Sequence, residues 1–197
     1  MAWPTTINTN NGLARANHRR SLPEVRVVAG DLRGRRIEAP VTEATRPTTD
    51  KVREAVFNAL GSLGVVDGAR VLDLFAGTGA MGIEALSRGA SECVFVEKDR
   101  DALRILKTNI DQLGLTNRSL IVAGDAETVG AQQRNIDLVI ADPPYGYNDW
   151  ARLVDGVTAD LVVLESDRPI GDIAGWETVR EKKYGRTFVS FLRPSPD

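Results

Sequence analysis

The sequence predicts an α/β fold: a doubly wound, largely parallel sheet preceded by a β-hairpin and a helix. Three observations support this. From residue 69 onward, short apolar runs alternate with helical stretches that carry one apolar face. A glycine-rich turn follows the first apolar run, and a later run ends in Asp-Pro-Pro-Tyr. Such alternation is typical of βαβ units, and 197 residues with 42% hydrophobic content suffice for one substantial core.

The first 64 residues precede this alternating pattern and divide into three parts. Residues 1–24 are rich in Asn, Thr and Arg and lack periodicity, so we expect a disordered leader. Residues 25–28 and 35–37 flank a turn with two glycines, which predicts a hairpin. Asp50 then begins a helix that Gly61 and Gly64 are expected to end. Its apolar residues recur at helical spacing: Val52, Ala55, Val56, Ala59 and Leu60.

The alternating region predicts the strands and helices of the sheet. Parallel strands are expected at 71–75, 92–96, 120–123, 136–141 and 161–164, and closing strands at 178–180 and 187–192. Helices are expected at 80–88, 99–112 and 150–157, with Gly89 and Gly114 as the stops of the first two. Ligands bind at the carboxyl ends of the parallel strands in such sheets, so the residues that follow each strand are candidates for a binding site.

The charge of the chain is unevenly distributed. The formal net charge is −2, but residues 15–53 contain ten basic and five acidic residues. A local basic excess in an acidic chain indicates contact with a polyanion such as a nucleic acid. The alternative is a solvated charged face with no ligand.

Several classes of protein are excluded by what the chain contains. Cys93 is the only cysteine and lies in an apolar run, so we expect a core residue and neither a disulfide framework nor a cysteine metal cluster. His18 is the only histidine, which excludes a Ser-His-Asp hydrolase and a multi-histidine metal site. No metal is therefore expected. No apolar run reaches about 18 residues and no signal peptide is visible, so we expect a cytoplasmic protein without a membrane partner.

The turn after the first parallel strand has the pattern of a nucleotide-binding loop. Residues 77–82 satisfy G-x-G-x-x-G, and Glu97 follows Gly77 by 20 residues, at the end of the second strand. Glycines allow the tight turn and a close approach of the backbone to a ligand, and Glu97 can accept hydrogen bonds from both ribose hydroxyls. These features alone are compatible with an NAD-binding domain.

Asp73 favours a different cofactor. It lies at the end of the first strand, where a carboxylate would not help to bind a pyrophosphate but would favour the amino group and sulfonium of S-adenosyl-L-methionine. Asp125 follows the third strand, where it can accept a hydrogen bond from the adenine amine. The alternative for Asp73 and Asp125 is that each caps a helix. The candidate cofactor-binding residues are Asp73, Phe75, Gly77, Gly79, Glu97, Lys98, Asp125 and Ala126.

The loop after the fourth parallel strand predicts a site for a planar amine. The lone pair of a nitrogen conjugated to a base ring is delocalised, so that nitrogen is a poor nucleophile. Hydrogen bonds from its N–H groups to the Asp142 carboxylate and the Pro143 carbonyl would favour the geometry that receives a methyl group. Prolines restrict the loop, and an aromatic ring can stack on a base. The candidate catalytic residues are Asp142, Pro143, Pro144 and Tyr145; the alternative is an ordinary strand-ending turn.

These motifs, in this order, resemble those of the RsmD family, the 16S ribosomal RNA guanine-N2 methyltransferases. That family belongs to the Rossmann-like (class I) S-adenosylmethionine-dependent methyltransferases. The similarity covers about residues 25–192, and its most specific part is the segment that contains Arg46-Pro47-Thr48. The leader before Val25 lies outside the family pattern. Arg186 departs from the pattern too, since an acid is more usual there.

The resemblance implies a seven-stranded sheet of order 3-2-1-4-5-7-6, with residues 25–64 as an RNA-contacting extension and residues 65–197 as the catalytic domain. It implies a monomer that methylates 16S ribosomal RNA in the small ribosomal subunit. It also implies that Glu97 holds the cofactor ribose, and Asp125 with Ala126 the adenine. The candidate RNA-binding residues are Arg33, Arg35, Arg36, Arg46, Thr48 and Arg53.

Other functions remain open at the level of sequence. A DNA adenine-N6 methyltransferase, or another amino-methyltransferase, would use the same Asp-Pro-Pro-Tyr chemistry, although the short spacings leave little room for a target-recognition insertion. An NAD-dependent oxidoreductase is disfavoured by Asp73 and by the lack of a histidine that could handle a hydride. A non-enzymatic RNA-binding protein is disfavoured by the intact substrate loop.

Overall fold

A computed structural model describes residues 25–39 and 50–196 of the chain. The described part begins with the expected hairpin, formed by β1 (Val25–Arg26) and β2 (Arg36–Ile37), which pair antiparallel. Helix α1 (Asp50–Leu63) follows. It continues through Gly61, which was expected to help end it, and stops before Gly64, whose φ of 68° lies in the left-handed region. The expected leader 1–24 lies outside the described residues.

The remaining strands form one seven-stranded sheet. Their bounds are β3 (Arg70–Leu74), β4 (Glu92–Glu97), β5 (Ser119–Ala123), β6 (Leu138–Ala141), β7 (Leu161–Ser166), β8 (Trp176–Tyr184) and β9 (Thr187–Pro194). Their order across the sheet is β5-β4-β3-β6-β7-β9-β8, with β3 to β7 parallel and β9 antiparallel to both of its neighbours. Counted from β3, this is the order 3-2-1-4-5-7-6, as expected. The fold class is therefore confirmed.

The helices of the sheet region cover both of its faces. They are α2 (Ala80–Ser87), α3 (Arg100–Leu113), α4 (Ala126–Gly130) and α5 (Trp150–Val154), with a short 3₁₀ turn at Thr116–Arg118. Buried residues of α1, α2 and α3 pack against one face, and those of α4 and α5 against the other. The five-residue helix α4 was not predicted, because so short a segment shows no helical periodicity.

Side-chain alternation along the strands determines which residues lie above the sheet. In β3, β6 and β7 the residues Val71, Ile140 and Val163 belong to the core under α1–α3, and their sequence neighbours belong to the opposite core. Side chains alternate between the two faces of a strand. Residues two positions after these three, towards the carboxyl ends, therefore lie on the α1–α3 face. Strand order reverses between β3 and β6, so a crevice is expected at their carboxyl ends.

The N-terminal hairpin is attached to α2 by a buried acid. The Glu84 carboxylate, which is fully buried, accepts hydrogen bonds from the backbone N–H groups of Val28 (2.7 Å) and Ala29 (3.0 Å). Gly30, with φ of 81°, lies so close to α2 that an added Cβ would fall 1.8 Å from the Ser87 carbonyl oxygen. The hairpin, α1 and the sheet consequently share one hydrophobic core.

Two further properties of the described residues are relevant to the sequence expectations. Cys93 is completely buried, as expected, and burial raises the pKa of its thiol, so it is an inert core residue. Among the described helices there is none whose length and apolar character would let it cross a membrane.

Candidate active site

A cavity of about 270 Å³ lies at the carboxyl ends of β3, β4, β6 and β7. It thus occupies the crevice that the reversal of strand order predicts. The wall is formed by residues 73, 75–78, 80–81, 97–99, 142–147, 150 and 165–167, together with Ala39 after the hairpin and Thr187 of β9. Both loops that the sequence singled out, the glycine loop and the Asp-Pro-Pro-Tyr loop, therefore meet at one cavity.

The glycines of the glycine loop have different tasks. Gly77 has φ of 55° and lines the cavity, as expected. Gly79 is buried beside the cavity and is not part of its wall. Its φ is 85°, and an added Cβ would fall 2.5 Å from Leu106 Cδ1 of α3, so this glycine permits packing. Gly82 also permits packing, because a Cβ there would fall 2.3 Å from the Phe95 ring.

Glu97 is held at the cavity wall by backbone donors. Its Oε2 accepts a hydrogen bond from the N–H of Gly77 (2.8 Å), and its Oε1 accepts from the N–H groups of Lys98 and Asp99, each at 2.8 Å. The Gly77 contact connects the end of β4 to the glycine loop. Each carboxylate oxygen has two lone pairs, so Oε1 is fully used by its two backbone donors, and Oε2 can accept one further hydrogen bond from a ligand. Lys98 lines the cavity as well.

Asp73 is a buried acid at the base of the cavity. It is 2% exposed, and its Oδ2 accepts a hydrogen bond from the N–H of Gly82 (2.8 Å) in the first turn of α2. Burial raises the pKa of Asp73 to about 7; the Gly82 hydrogen bond opposes the shift, and the negative charges of Asp142 and Glu97 add to it. The side chain therefore both caps α2 and borders the cavity, so the two interpretations of Asp73 are not exclusive.

The predicted adenine-binding residues lie beside the cavity and do not form its wall. Asp125 caps α4 by accepting hydrogen bonds from the N–H groups of Glu127 (3.2 Å) and Thr128 (3.4 Å), which was the alternative interpretation of this residue. Its Oδ2 is 3.7 Å from Lys98 Nζ, the link between Asp125 and the cavity wall. Ala126, the first residue of α4, is 3% exposed.

The Asp-Pro-Pro-Tyr loop forms the opposite wall. Residues Asp142, Pro143, Pro144 and Tyr145 all line the cavity, and Tyr145 is 62% exposed. Asp142 lies on the same face as Ile140, and therefore on the same face as Asp73. An exposed ring beside a carboxylate is available to a ligand that enters from solvent.

Three aromatic rings pack together beside this loop. Tyr147 packs edge-on against Phe75 (ring centroids 5.5 Å apart) and against Trp150 (5.0 Å), and all three residues line the cavity. The Tyr147 hydroxyl donates a hydrogen bond to the Glu127 carboxylate (2.8 Å). Phe75 has φ of 59°, an unfavourable conformation for a bulky residue that often marks a functional loop. Sequence reasoning missed Tyr147 and Trp150, because their contact with Phe75 is long-range.

The wall contributed by β7 was also missed. Glu165, Ser166 and Asp167 line the cavity, and Glu165 is only 3% exposed. Asp167 lies beside Arg168, whose hydrogen bond lowers the pKa of the Asp167 carboxyl. The sequence did contain a signal for Glu165. It directly follows the predicted strand 161–164, as Glu97 and Asp142 directly follow theirs, and Asp73 lies near the end of its own strand.

The candidate RNA-binding residues have different environments. Arg33, Arg35 and Arg36 are exposed on the hairpin. Arg53 is fully buried in α1, where its guanidinium lies 2.8 Å from Asp50 Oδ1 and 3.5 Å from Glu84 Oε2. The expectation that Arg53 contacts RNA is therefore wrong, since this charge is used inside the fold. Arg46 and Thr48 lie outside the described residues.

The described residues contain no group of three or more His, Cys, Asp or Glu side chains arranged to hold a metal ion. The donor set around the cavity instead consists of separate carboxylates, a left-handed glycine loop and aromatic rings. This set fits S-adenosyl-L-methionine, whose charge is positive at sulfur and at the amino group and whose ribose carries two hydroxyl donors.

Comparison with known proteins places the chain among methyltransferases. A family model described as Conserved hypothetical protein 95 matches residues 25–193. The putative rRNA methyltransferase YlbH of Bacillus subtilis is 36% identical over 186 residues, covering 86% of this chain and 98% of that protein. The ribosomal RNA small subunit methyltransferase D of Escherichia coli is 34% identical over 173 residues, covering 83% and 86%.

Solved structures share the fold. A putative methyltransferase of Escherichia coli, yhhF, superposes with a TM-score of 0.75 at 31% identity and covers 87% of this chain and 98% of that one. An RNA methyltransferase from Salinibacter ruber in complex with S-adenosyl-L-homocysteine has a TM-score of 0.60 at 19% identity, with 77% and 96% covered. The second likeness concerns the fold alone.

Proposed function

Because the chain belongs to the family described as Conserved hypothetical protein 95, the RsmD family, we propose that it methylates ribosomal RNA. The reaction proposed is transfer of the methyl group of S-adenosyl-L-methionine to the exocyclic N2 amine of a specific guanine in 16S ribosomal RNA of the small subunit. The observation that carries the proposal is one cavity that joins the glycine loop and Glu97 to Asp142-Pro143-Pro144-Tyr145. Relatives named as rRNA methyltransferases support the class of substrate.

The cofactor half of the cavity would be built from β3 and β4. Glu97 Oε2 would accept a hydrogen bond from a ribose hydroxyl, and Gly77 lets the backbone approach the ligand. Asp73 is buried and accepts a hydrogen bond from the Gly82 N–H (2.8 Å). It would favour the cationic end of the cofactor. Asp125, coupled to Lys98, would receive the adenine amine. When bound, the cofactor supplies an electrophilic methyl group on a positively charged sulfur.

The substrate half would be built from β6 and the loop after it. Tyr145, the exposed ring, would stack on the target base after it leaves its neighbours. The Asp142 carboxylate and the Pro143 carbonyl would accept hydrogen bonds from the two amine protons and hold the nitrogen lone pair toward the methyl carbon. The amine nitrogen would take up the methyl group that the cofactor supplies, and the Asp142 carboxylate or solvent would accept the proton that this nitrogen loses.

The hairpin would position the nucleic acid. Arg33, Arg35 and Arg36 are exposed beside the turn that is attached to α2, and cations on a rigid element can contact phosphates without reading sequence. Ala39, just after β2, lines the cavity, so the hairpin leads directly to the site of transfer.

A methyl-transfer assay tests the proposal. The full chain is incubated with tritium-labelled S-adenosyl-L-methionine and with small-subunit particles, free 16S rRNA or duplex DNA, and labelled nucleosides are identified after digestion. We expect N2-methylguanosine from ribosomal RNA. Label in N6-methyladenine from DNA would establish the alternative amino-methyltransferase, and the absence of transfer to any substrate would refute the proposal.

A further inference from the structure

We propose that Glu165 selects guanine as the target base by accepting a hydrogen bond from its ring N1–H, next to the amine that receives the methyl group. This inference rests on the proposed function and adds a specificity-determining residue to it. Glu165 belongs to the wall of the cavity that sequence reasoning missed, and the transfer chemistry described above does not use it.

The position of Glu165 in the sheet places it beside Asp142. Strands β6 and β7 are parallel, and Ala141, the last residue of β6, pairs with Leu164. Asp142, which directly follows β6, is therefore a neighbour of Glu165 in β7. Adjacent strands are about 4.8 Å apart. Ile140 and Val163, two residues earlier, both belong to the core under α1–α3. The two carboxylates therefore point to the same face of the sheet, and both line the cavity.

Glu165 is also held more rigidly than a loop residue would be. It lies in the last part of β7, paired with Val189 of β9, and only 3% of its surface is exposed. Val189 is completely buried. A side chain on a central strand keeps its direction when substrate enters, which is what selection between bases of similar size requires.

The chemistry of the bases makes two adjacent acceptors selective. Guanine presents a ring N1–H next to its exocyclic amine, so its edge offers neighbouring donors. Adenine and cytosine present a ring nitrogen lone pair next to theirs. A buried carboxylate opposite that lone pair would be repelled and would lose its hydrogen bond, whereas opposite N1–H it is satisfied. Asp142 for the amine and Glu165 for N1–H together match guanine alone among these three bases.

The charge of the cavity strengthens this preference. Asp142 and Glu165 lie side by side in the cavity wall at the carboxyl ends of β6 and β7. Negative charge around a base favours hydrogen-bond donors and disfavours lone pairs. A site that rejects a ligand lacking one buried hydrogen bond commonly discriminates by 100-fold or more, so we expect at least about that factor here.

The test uses 2-aminopurine, which keeps the exocyclic amine of guanine but has a lone pair at N1. The methylated position is first mapped in small-subunit particles. Particles are then reconstituted from 16S rRNA that carries guanine or 2-aminopurine at that position, and kcat/KM is measured for the unmodified enzyme. We expect a preference for guanine of about 100-fold. Equal rates on both bases would overturn the role of Glu165.

The variant Glu165→Gln then assigns the discrimination to this side chain. Its amide N–H can donate to the N1 lone pair of 2-aminopurine, so the preference for guanine should shrink by tenfold or more while affinity for S-adenosylhomocysteine is unchanged. The matched control is Asp160→Asn, which also replaces a carboxylate with an amide. Asp160 is exposed and directly precedes β7, so this variant should keep the full preference for guanine. An unchanged preference in a folded Glu165→Gln variant would refute the inference.

Failure of the inference and failure of the proposed function can be told apart. If the unmodified enzyme produces no N2-methylguanosine on guanine-containing particles, the proposed function is wrong. If it does so but accepts 2-aminopurine equally well, only the role of Glu165 is wrong.

Discussion

At the scale of single residues, the Glu97 carboxylate has two roles. It accepts three backbone hydrogen bonds, one of which connects the end of β4 to the glycine loop, and it borders the cavity where the ribose would lie. Charge-assisted hydrogen bonds of this kind contribute about 1.5–3 kcal/mol each. Loss of the carboxylate should therefore act on ligand binding and on the shape of the loop together.

We predict that Glu97→Ala weakens S-adenosylhomocysteine binding by at least tenfold, because the charged acceptor of the ribose hydroxyl is lost. Isothermal titration calorimetry measures this directly. Glu92→Ala serves as the control, since Glu92 begins the same strand at the end remote from the cavity. Equal affinity in Glu97→Ala and the unmodified protein would mean that the ribose lies elsewhere.

Asp142 should behave differently, since its proposed role belongs to the transition state. Its carboxylate is expected to strengthen contacts to the amine as the nitrogen becomes tetrahedral. We predict that Asp142→Ala lowers kcat by about 100-fold or more, as losses of transition-state acceptors commonly do, with less than threefold change in cofactor affinity. Single-turnover kinetics and calorimetry measure the two effects. A fall in cofactor affinity with unchanged kcat would contradict the proposed role.

At the scale of elements, the N-terminal hairpin combines a fixed backbone with exposed charged side chains. Its turn is attached to α2 through Glu84 and Ser87, and the Asn109 side chain of α3 donates to the backbone of both Glu38 and Thr78. Arg33, Arg35 and Arg36 are exposed on this frame, and Arg35 also donates a hydrogen bond to the Gln112 carbonyl of α3 (3.1 Å). Their substitution should therefore affect RNA and leave the core intact.

We predict that reversal of Arg33, Arg35 and Arg36 to Glu weakens RNA binding and flattens its dependence on salt, because phosphate contacts release counterions. Melting temperature and cofactor affinity should barely change, since the three side chains are exposed. RNA affinity is measured by filter binding at several salt concentrations. Arg33→Glu alone is compared with Arg134→Glu, an exposed arginine before the amino end of β6. Equal salt slopes for the triple variant and the unmodified protein would refute the prediction.

At the scale of the whole molecule, the buried ionisable group Asp73 couples stability to pH. Burial raises its pKa to about 7 from 3.8, so the fold favours the neutral carboxyl. Between these values the folded protein holds a proton that the unfolded chain releases. This contribution to stability is therefore fully present below about pH 4 and is lost as pH rises through 7.

We predict that Asp73→Asn removes this pH dependence. Between pH 5 and pH 8 the free energy of unfolding of the unmodified protein should fall by roughly 3 kcal/mol more than that of the variant, from the size of the shift. Urea denaturation at the two pH values gives the difference, in which any constant effect of the substitution cancels. Parallel pH profiles for both proteins would show that Asp73 is ionised in the fold at pH 5.

Much of the fold and of the site follows from local signals in the sequence. Apolar runs located the strands of the sheet, and glycine at Gly77 and proline at Pro143 identified the two loops at strand ends. These signals depend on near neighbours: a strand needs an apolar run, and a tight turn needs a residue without a Cβ. Because strand ends meet at one edge of a parallel sheet, Asp73, Glu97 and Asp142 were expected together, and the structure brings them together.

Only the tertiary structure decided the roles of residues whose environment comes from distant parts of the chain. The burial of Arg53 depends on Glu84, 31 positions away, so its charge could not be distinguished from those of the exposed hairpin arginines. Gly79 is needed for packing because α3 brings Leu106 against it. Glu165 became part of the cavity through the pairing of β7 with β6 and β9. Sequence determines which residues can do the chemistry, whereas long-range packing determines which of them face the ligand, because exposure is a property of all neighbours at once.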